Sequence, residues 1–179
     1  MNIGIVASTL VGGMVLFAIV SLNIRVSQHA GENTLYHTAK INTDMLAEVI
    51  TFDLNHAGYG YSGTDAPVIT ANDSTFAYNT SDQETDIEKV MSWYYDSGQL
   101  SRVDAGDDVV MSSNIIDFRF TYYDLSGIMM STPVTGSDLE DIRQIKVSLI
   151  SESVAKYGNK TKAPSSAWES TFTPRNLNN

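Results

Sequence analysis

The first 24 positions of the chain carry no charged side chain, and the hydrophobic pattern there is nearly continuous. Residues Ile3 to Leu22 read IGIVASTLVGGMVLFAIVSL, a run interrupted only by Gly, Ser and Thr. Because an α-helix rises ~1.5 Å per residue, a run of this length spans ~30 Å, the thickness of a bilayer's hydrocarbon core. The pattern therefore predicts a helix that crosses a membrane.

A cleaved secretory signal is the main alternative for this segment. Such a signal carries a basic residue before its apolar run and small residues at its cleavage site. Met1 and Asn2 are uncharged, and residues 27–30 (SQHA) make a poor cleavage site. We therefore expect the helix to be retained, whereas the sequence leaves processing of the N-terminus open.

Small residues recur along one side of the predicted membrane helix. Gly4, Ser8 and Gly12 follow a spacing of four, and Gly13 widens the same face. Small side chains let helix backbones approach closely in an apolar medium. We assign Gly4, Ser8, Gly12, Gly13 and Phe17 to a surface that packs against other helices.

Helical periodicity continues beyond the apolar run. Residues 33–56 contain neither proline nor glycine, and Gly58 suits the left-handed position that follows a helix end. Apolar residues recur there at threes and fours, and polar residues lie between them. The expected inward positions are Ile41, Met45, Leu46, Val49, Ile50 and Phe52, with Asp44, Glu48 and Asn55 outside. The pattern predicts one helix of roughly 50 residues.

After Gly60 the period of the pattern changes to two, which is typical of half-buried strands. Six or so antiparallel strands are expected from seven candidate segments, with turns at residues 96–98 and 124–127. The segments are Val68–Thr70, Thr75–Tyr78, Lys89–Tyr95, Gln99–Val103, Ile116–Tyr122, Ile145–Leu149 and, after a loop over residues 158–166, Trp168–Thr173. The sequence predicts an α+β fold in which a long N-terminal helix (1–24 membrane half, 25–58 amphipathic half) packs on an antiparallel β-sheet domain (59–179).

Charge and cysteine content exclude several classes of function. The 179 residues include 11 Lys and Arg against 21 Asp and Glu, a net charge of −10. An acidic chain lacks the cations that non-specific nucleic-acid binding and docking on anionic lipid require. The absence of cysteine excludes disulfides, thiolate metal sites and cysteine nucleophiles. We expect no nucleic-acid partner.

Two groups of residues have the composition of a chemical site. Asp53 and His56 are three residues apart on one helix face, but a catalytic pair would need a nucleophile from the sheet. Asp104, Asp107 and Asp108 offer carboxylates to a calcium ion, although they lack EF-hand spacing. A solvated acidic turn is the commoner meaning of such a run, so calcium binding stays open, and no catalytic, cofactor or metal residue is assigned.

Several segments, taken in order, resemble type IV pilins and pseudopilins, and most closely the minor pilins and the J-type minor pseudopilin. The segments are LAEVITFDLNHAGYG (46–60), WYYDSGQLSRV (93–103), IIDFRFTYYDLSG (115–127), DIRQIKVSLISES (141–153) and TPRNL (173–177). The positions within them that match the family pattern are Asp53, Ala57, Gly58, Tyr123, Asp124, Gly127, Pro174 and Arg175. The resemblance implies that long helices pack side by side into a filament core while the sheet domains face outward.

The N-terminus departs from the family pattern. Family members typically carry an acid at the fifth position of the mature chain, where it pairs with a neighbouring subunit's terminal amine. Here the fifth residue is Ile5, and the first acid is Glu32. Either this chain is a filament-tip subunit with no subunit ahead of it, or its helix packs by apolar contacts alone. A chain without the partner amine avoids burying an unpaired carboxylate.

The resemblance implies a structural, non-enzymatic subunit without a cofactor. Its partners would be other copies of itself or related pilin-like subunits, and the lipid bilayer before assembly. It would be anchored in an inner membrane with its sheet domain outside the cytoplasm, in a cell-surface or periplasmic filament. The alternative is a singly anchored envelope binding module or adhesin, whose exposed aromatic residues and acidic loops would form the recognition surface.

Overall fold

The computed structural model describes residues 3–82, 84–156 and 162–178. Within these ranges one α-helix of 53 residues, α1 (Ile3–Asn55), precedes eight strands, and two 3-10 helices cover Gly136–Asp141 and Arg175–Asn178. The strands are β1 (Val68–Ala71), β2 (Thr75–Ser81), β3 (Glu88–Asp96), β4 (Gln99–Asp104), β5 (Asp107–Ser112), β6 (Ile115–Tyr123), β7 (Gln144–Glu152) and β8 (Ser165–Phe172). The predicted α+β fold is confirmed, with a long N-terminal helix packed on an antiparallel β-sheet domain.

The strands form two antiparallel sheets, each in simple chain order. Five strands make the sheet β1-β2-β3-β4-β5, and three make the sheet β6-β7-β8. Aromatic rings join the sheets, since Phe76 lies 5.7 Å from Phe120 and 5.9 Å from Tyr122 between ring centroids. The C-terminal part of α1 packs on β7 and β8. One core therefore forms between the two sheets and the helix.

The end of α1 is fixed by a glycine. Gly58 has a φ of +76°, so the left-handed conformation predicted after the helix is confirmed. A Cβ atom at this position would lie 2.8 Å from the carbonyl oxygen of Asn176, which is closer than real Cβ contacts allow. Glycine is needed here for its conformation and also for the close approach of the C-terminal segment.

The amphipathic half of α1 buries a different stripe from the one predicted. Leu46 and Ile50 face the core as expected, but Ile41, Met45 and Phe52 are exposed. Further positions on the buried side are Ala39, Thr43, Ala47, Asp53 and Leu54. The helix has apolar residues on two opposite sides at ~100° per residue, and the sheets cover only one of them. Periodicity alone does not determine which side is covered.

Strand boundaries are confirmed where a strong turn signal is present. The hairpin between β3 and β4 turns at Ser97 and Gly98, whose φ values are +50° and +86°. In β6, however, a bulge between Ile115 and Asp117 places Ile115 in the core and leaves Ile116 exposed, contrary to the predicted alternation. Strand β5 (Asp107–Ser112) is not among the predicted strands, and only its first two residues belong to the acidic run interpreted as a turn.

Candidate functional site

The N-terminal part of α1 is not covered by the rest of the chain. The first buried residue along the described helix is Ala39. Exposed large apolar side chains on the uncovered part are Ile5, Val6, Leu10, Val11, Met14, Val15, Leu16, Phe17, Ile19, Val20, Leu22, Ile24 and Val26. A helix that is apolar on all sides belongs in a bilayer or in the core of a larger assembly. Its length and composition are compatible with membrane anchoring.

The residues assigned to helix packing all lie on this uncovered part. Gly4, Ser8, Gly12 and Gly13 are exposed, and Phe17 is 76% exposed. A Cβ atom built at Gly12 or Gly13 meets nothing within 4 Å. The fold of the single chain therefore does not require glycine at either position.

A second apolar surface continues on the packed half of the helix. Ile41, Met45 and Phe52 are each more than half exposed, and they lie on the side of α1 opposite Leu46 and Ile50. A salt bridge of 3.0 Å between Lys40 and Asp44 lies beside them. We call Ile41, Met45 and Phe52 the outer stripe of α1. It extends the apolar character of the anchor into the sheet domain.

The packed half is attached to the five-stranded sheet through Asp53, which is only 3% exposed. Its carboxylate accepts hydrogen bonds from Trp93 Nε1 at 2.9 Å, Arg102 Nε at 2.7 Å and Arg102 Nη2 at 3.1 Å. Tyr78 donates its hydroxyl to the backbone oxygen of Asp53 at 2.9 Å. A two-point contact with arginine fixes both distance and orientation. The helix is thereby held in one rotation relative to the sheet.

A chain of alternating charges continues from this contact. Arg102 also donates to Asp104 at 3.3 Å, and Lys89 lies 2.9 Å from Asp104 and 3.6 Å from Asp82. The hydrogen bond that Lys89 donates to Asp104 raises the pKa of Lys89, and the hydrogen bonds that Arg102 donates to Asp53 raise the pKa of Arg102. Both side chains are held in their charged form.

These residues line a cavity of about 230 Å³ at the end of α1. Phe52, His56, Tyr78, Lys89 and Arg102 contribute to its wall. Desolvation raises the pKa of the Tyr78 phenol well above its usual value, which keeps it neutral and donating. Each buried side-chain nitrogen or oxygen in the described ranges has a hydrogen-bond partner. Lys89 and Arg102 are each paired with carboxylates, which outnumber the cations of the cavity.

The structure does not pair Asp53 with His56. The Asp53 carboxylate points to Trp93 and Arg102, whereas Nδ1 of His56 lies 2.7 Å from the backbone oxygen of Phe52. His56 also stacks on the Phe52 ring, with centroids 4.4 Å apart. The arrangement orients a helix end and does not resemble an acid–base pair.

The three aspartates considered for calcium do not converge. Asp104 ends β4 and is bound by Lys89 and Arg102, while Asp107 and Asp108 begin β5 after a two-residue turn. Asp108 accepts a hydrogen bond from the Tyr94 hydroxyl. Across the described ranges no group of three or more His, Cys, Asp or Glu side chains is placed to hold a metal ion. The acidic run is part of a hairpin.

The family-like positions divide into two locations. Asp53, Ala57 and Gly58 lie at the helix end, where the C-terminal segment with buried Pro174 and exposed Arg175 approaches them. The other three lie at the end of β6 and in the turn that follows it. There the Asp124 side chain accepts from the backbone N–H groups of Ser126 and Ile128, Gly127 has a φ of +74°, and Tyr123 pairs with Met129.

Sequence reasoning missed Arg102 and Trp93 as the partners of Asp53. A signal for Asp53 was present, because it is seven residues after Leu46 and three after Ile50, on the side that is buried. A buried carboxylate requires a partner, but no sequence pattern identified which one.

Comparisons with protein-family models, with curated proteins and with solved structures find no match for this chain.

Proposed function

We propose that this chain is a structural, non-enzymatic subunit that assembles through its N-terminal helix into a filament similar to a type IV pilus or a type II secretion pseudopilus. The helix lies in the membrane before assembly and among the helices of other copies, or of related subunits, afterwards. The sheet domain lies outside the cytoplasm. The observation that carries the proposal is an apolar helix with no cover from its own chain, continuous with a rigidly attached domain.

The attachment through Asp53 supports a structural role. A helix used only as a tether needs no fixed angle to its domain, whereas a helix that packs into a filament must present one side of itself reproducibly. The Arg102–Asp53–Trp93 contact and the buried residues Leu46 and Ile50 impose such an angle.

The outer stripe of α1 also supports assembly by helix–helix packing. Ile41, Met45 and Phe52 prolong the apolar surface beyond the length that a bilayer covers. Burial of these apolar side chains against another helix lowers the free energy by about 25 cal/mol for each Å² of apolar surface removed from water. An anchor alone does not require them.

The test uses the open space at the small residues. Gly12→Leu combined with Gly13→Leu leaves the monomer fold intact, since a side chain there contacts nothing in the chain. The same change blocks close approach of a second helix. We expect loss of filaments in electron micrographs of the double variant, with unchanged circular dichroism. N-terminal sequencing of wild-type filaments determines whether the chain is processed.

The matched control places equal bulk on the other side of the helix. Ala7→Leu with Ala18→Leu adds the same two side chains, about 180° away from the midpoint of Gly12 and Gly13. Filaments should persist in this control. Filaments that persist in the glycine variant as well would remove helix packing from the proposal.

An envelope binding module is the second candidate. The exposed apolar turn that contains Leu125, 85% exposed, together with Ile128 and Met129 favours it, because such side chains often mark contact sites. Under this alternative the helix is only an anchor, so the full chain in detergent remains monodisperse. The wild type and the glycine variant would then elute identically from a sizing column.

A further inference from the structure

Strand β5 is the outermost strand of the five-stranded sheet, and its first four residues, 107–110, are exposed. Val109 and Val110 are both 53% exposed, and successive strand residues point to opposite faces. Val109 lies opposite Arg102, on the side that faces α1 elsewhere in the sheet. The helix lies beside the end of β5, where Met111 is partly buried against the core, whereas Val109 and Val110 remain exposed.

The turn before β5 determines which backbone groups point outward. Ala105 and Gly106 form a two-residue turn with φ values of +52° and +98°, so Asp104 and Asp107 make the first hydrogen-bonded pair. The pairs alternate along the hairpin, which makes Arg102–Val109 hydrogen-bonded as well. The N–H and C=O groups of Asp108 and Val110 consequently point away from β4, along the free edge.

We propose that this edge pairs antiparallel with β5 of a second copy of the chain, centred on Val109. Antiparallel pairing places Asp107 and Asp108 opposite Met111 and Val110 of the second copy, so no carboxylate faces another. Parallel pairing would place Asp107 and Asp108 opposite the same aspartates of the second copy, where like charges repel. The two central valines meet in a non-hydrogen-bonded pair, where opposed side chains are closest and β-branched residues pack well.

Charge elsewhere on the two copies does not prevent this contact. Each copy carries −10, but exposed charges more than ~8 Å apart are largely screened at physiological ionic strength. Asp104 beside the edge is already bound by Lys89 and Arg102, and Asp108 accepts the Tyr94 hydroxyl. The four residues of β5 that follow its two aspartates, Val109, Val110, Met111 and Ser112, are uncharged.

The contact differs in kind from helix packing. It is twofold and uses the same patch on both copies, whereas successive subunits of a filament are related by a screw operation. The β5 contact therefore joins two separate filaments, or two subunits before assembly. It goes beyond the proposed function and does not depend on it.

Site-specific crosslinking tests the pairing in the full chain. Because the chain has no cysteine, Val109→Cys introduces the only thiol. Non-hydrogen-bonded pairs have Cα atoms about 4.5 Å apart, within the range of a disulfide, so mild oxidation in detergent should give a covalent dimer. The matched control is Val90→Cys, a 46% exposed valine on β3 inside the same sheet. We expect dimer formation about tenfold faster for V109C than for V90C. Equal rates overturn the proposal.

A second pair of variants tests the backbone bonds. In the V109C background, Val110→Pro removes a donor that points to the free edge and leaves the ladder to β4 intact, so crosslinking should fall to the V90C level. Val110→Thr keeps the N–H group and should keep the crosslink. Crosslinking that is unaffected by proline, or lost equally in both variants with circular dichroism unchanged, contradicts strand pairing.

The crosslinking assay also distinguishes helix packing from pairing of the β5 edges. Gly12→Leu with Gly13→Leu should leave the V109C crosslink unchanged, because the edge contact does not involve the helix. Loss of the crosslink in that background would mean that helix packing alone brought the thiols together, which overturns the β5 pairing. Filament loss with a retained crosslink supports both proposals independently.

Discussion

The two halves of α1 belong to one continuous helix, yet they have opposite relations to the rest of the chain. Residues 4–38 contain the most hydrophobic segment of the sequence, and none of them is buried. The next 17 residues include Asp53, Thr43 and several charges, and they supply the core with Leu46, Ile50 and Leu54. The more apolar half contributes nothing to the fold of the monomer. Its length and composition are compatible with membrane anchoring.

The largest difference between the halves should be seen on truncation of an apolar side chain. Ile50→Ala removes a fully buried side chain and should lower the free energy of unfolding by about 4 kcal/mol. Phe17→Ala removes a larger side chain that touches no core residue and should change it by less than about 0.5 kcal/mol. Urea unfolding of the full chain in detergent, followed by tryptophan fluorescence, measures both.

The immediate neighbourhood of Ile50 offers a finer control. Met45→Ala truncates an exposed member of the outer stripe, 62% accessible, on the same helix. It should behave like Phe17→Ala. A large loss of stability in Met45→Ala would show that the outer stripe also belongs to the core of the monomer and would break the comparison.

The next largest effect should come from the polar attachment of the packed half. Asp53→Ala leaves Trp93 Nε1 without its acceptor and Arg102 with Asp104 alone, and should cost about 3 kcal/mol, because the buried partner of an ion pair is removed. Glu48→Ala removes an exposed acid from the same helix and should cost less than about 0.5 kcal/mol. Thermal melts of both variants measure the two losses of stability.

A double variant distinguishes the ion pair from a local defect. If Asp53 acts through Arg102, Asp53→Ala combined with Arg102→Ala should cost clearly less than the sum of the two single changes. Additive losses would mean that the two residues stabilise the domain separately, and that the angle of the helix is set by apolar packing alone.

The smallest expected effect is a loss of folding stability at alkaline pH. It arises in the sheet domain and does not involve the uncovered part of α1. Desolvation by burial raises the pKa of Tyr122 above its ordinary value of 10.0, and the Tyr78 pKa is raised for the same reason. Because the folded-state pKa is the higher one, this stabilisation is fully present below pH 10 and is lost as the pH rises further. Each phenol should contribute a slope of about 1.4 kcal/mol per pH unit above pH 10.

Phenylalanine variants measure this slope. Tyr122→Phe should flatten the alkaline loss of stability, at the cost of its hydrogen bond to the backbone oxygen of Asn72. Tyr36→Phe, on the part of α1 before the first buried residue, should leave the slope unchanged. A slope equally flattened by both changes would contradict the assignment to the buried phenol.

Sequence reasoning predicted the elements with strong local signals and missed those that depend on distant residues. The length of α1 and the hairpin at Ser97–Gly98 follow from periodicity and turn chemistry. The choice of buried stripe on α1 does not, because Leu46 and Met45 are equally apolar and only the sheets select between them. Strand β5 reads DDVVMS, which does not alternate between polar and apolar residues and therefore gives no period-two signal.

The candidate site was the least predictable part for the same reason. Asp53 was noted from its resemblance and from its spacing to His56, but its partners lie 40 and 49 residues further along the chain. The bulge at Ile115 changes which isoleucine enters the core, and no residue of the strand marks it. These features arise from the pairing of whole strands, which a one-dimensional pattern does not encode.

The hydrogen bond between Thr43 and Ser151 joins residues 108 positions apart in the sequence, at the point where α1 meets β7. During synthesis at about 5–20 residues per second, the strand that receives the helix emerges roughly 5–20 seconds after the helix itself. The apolar half of α1 is therefore complete well before the packed half has a surface to fold against. The sheet domain can close only after the whole helix has been made.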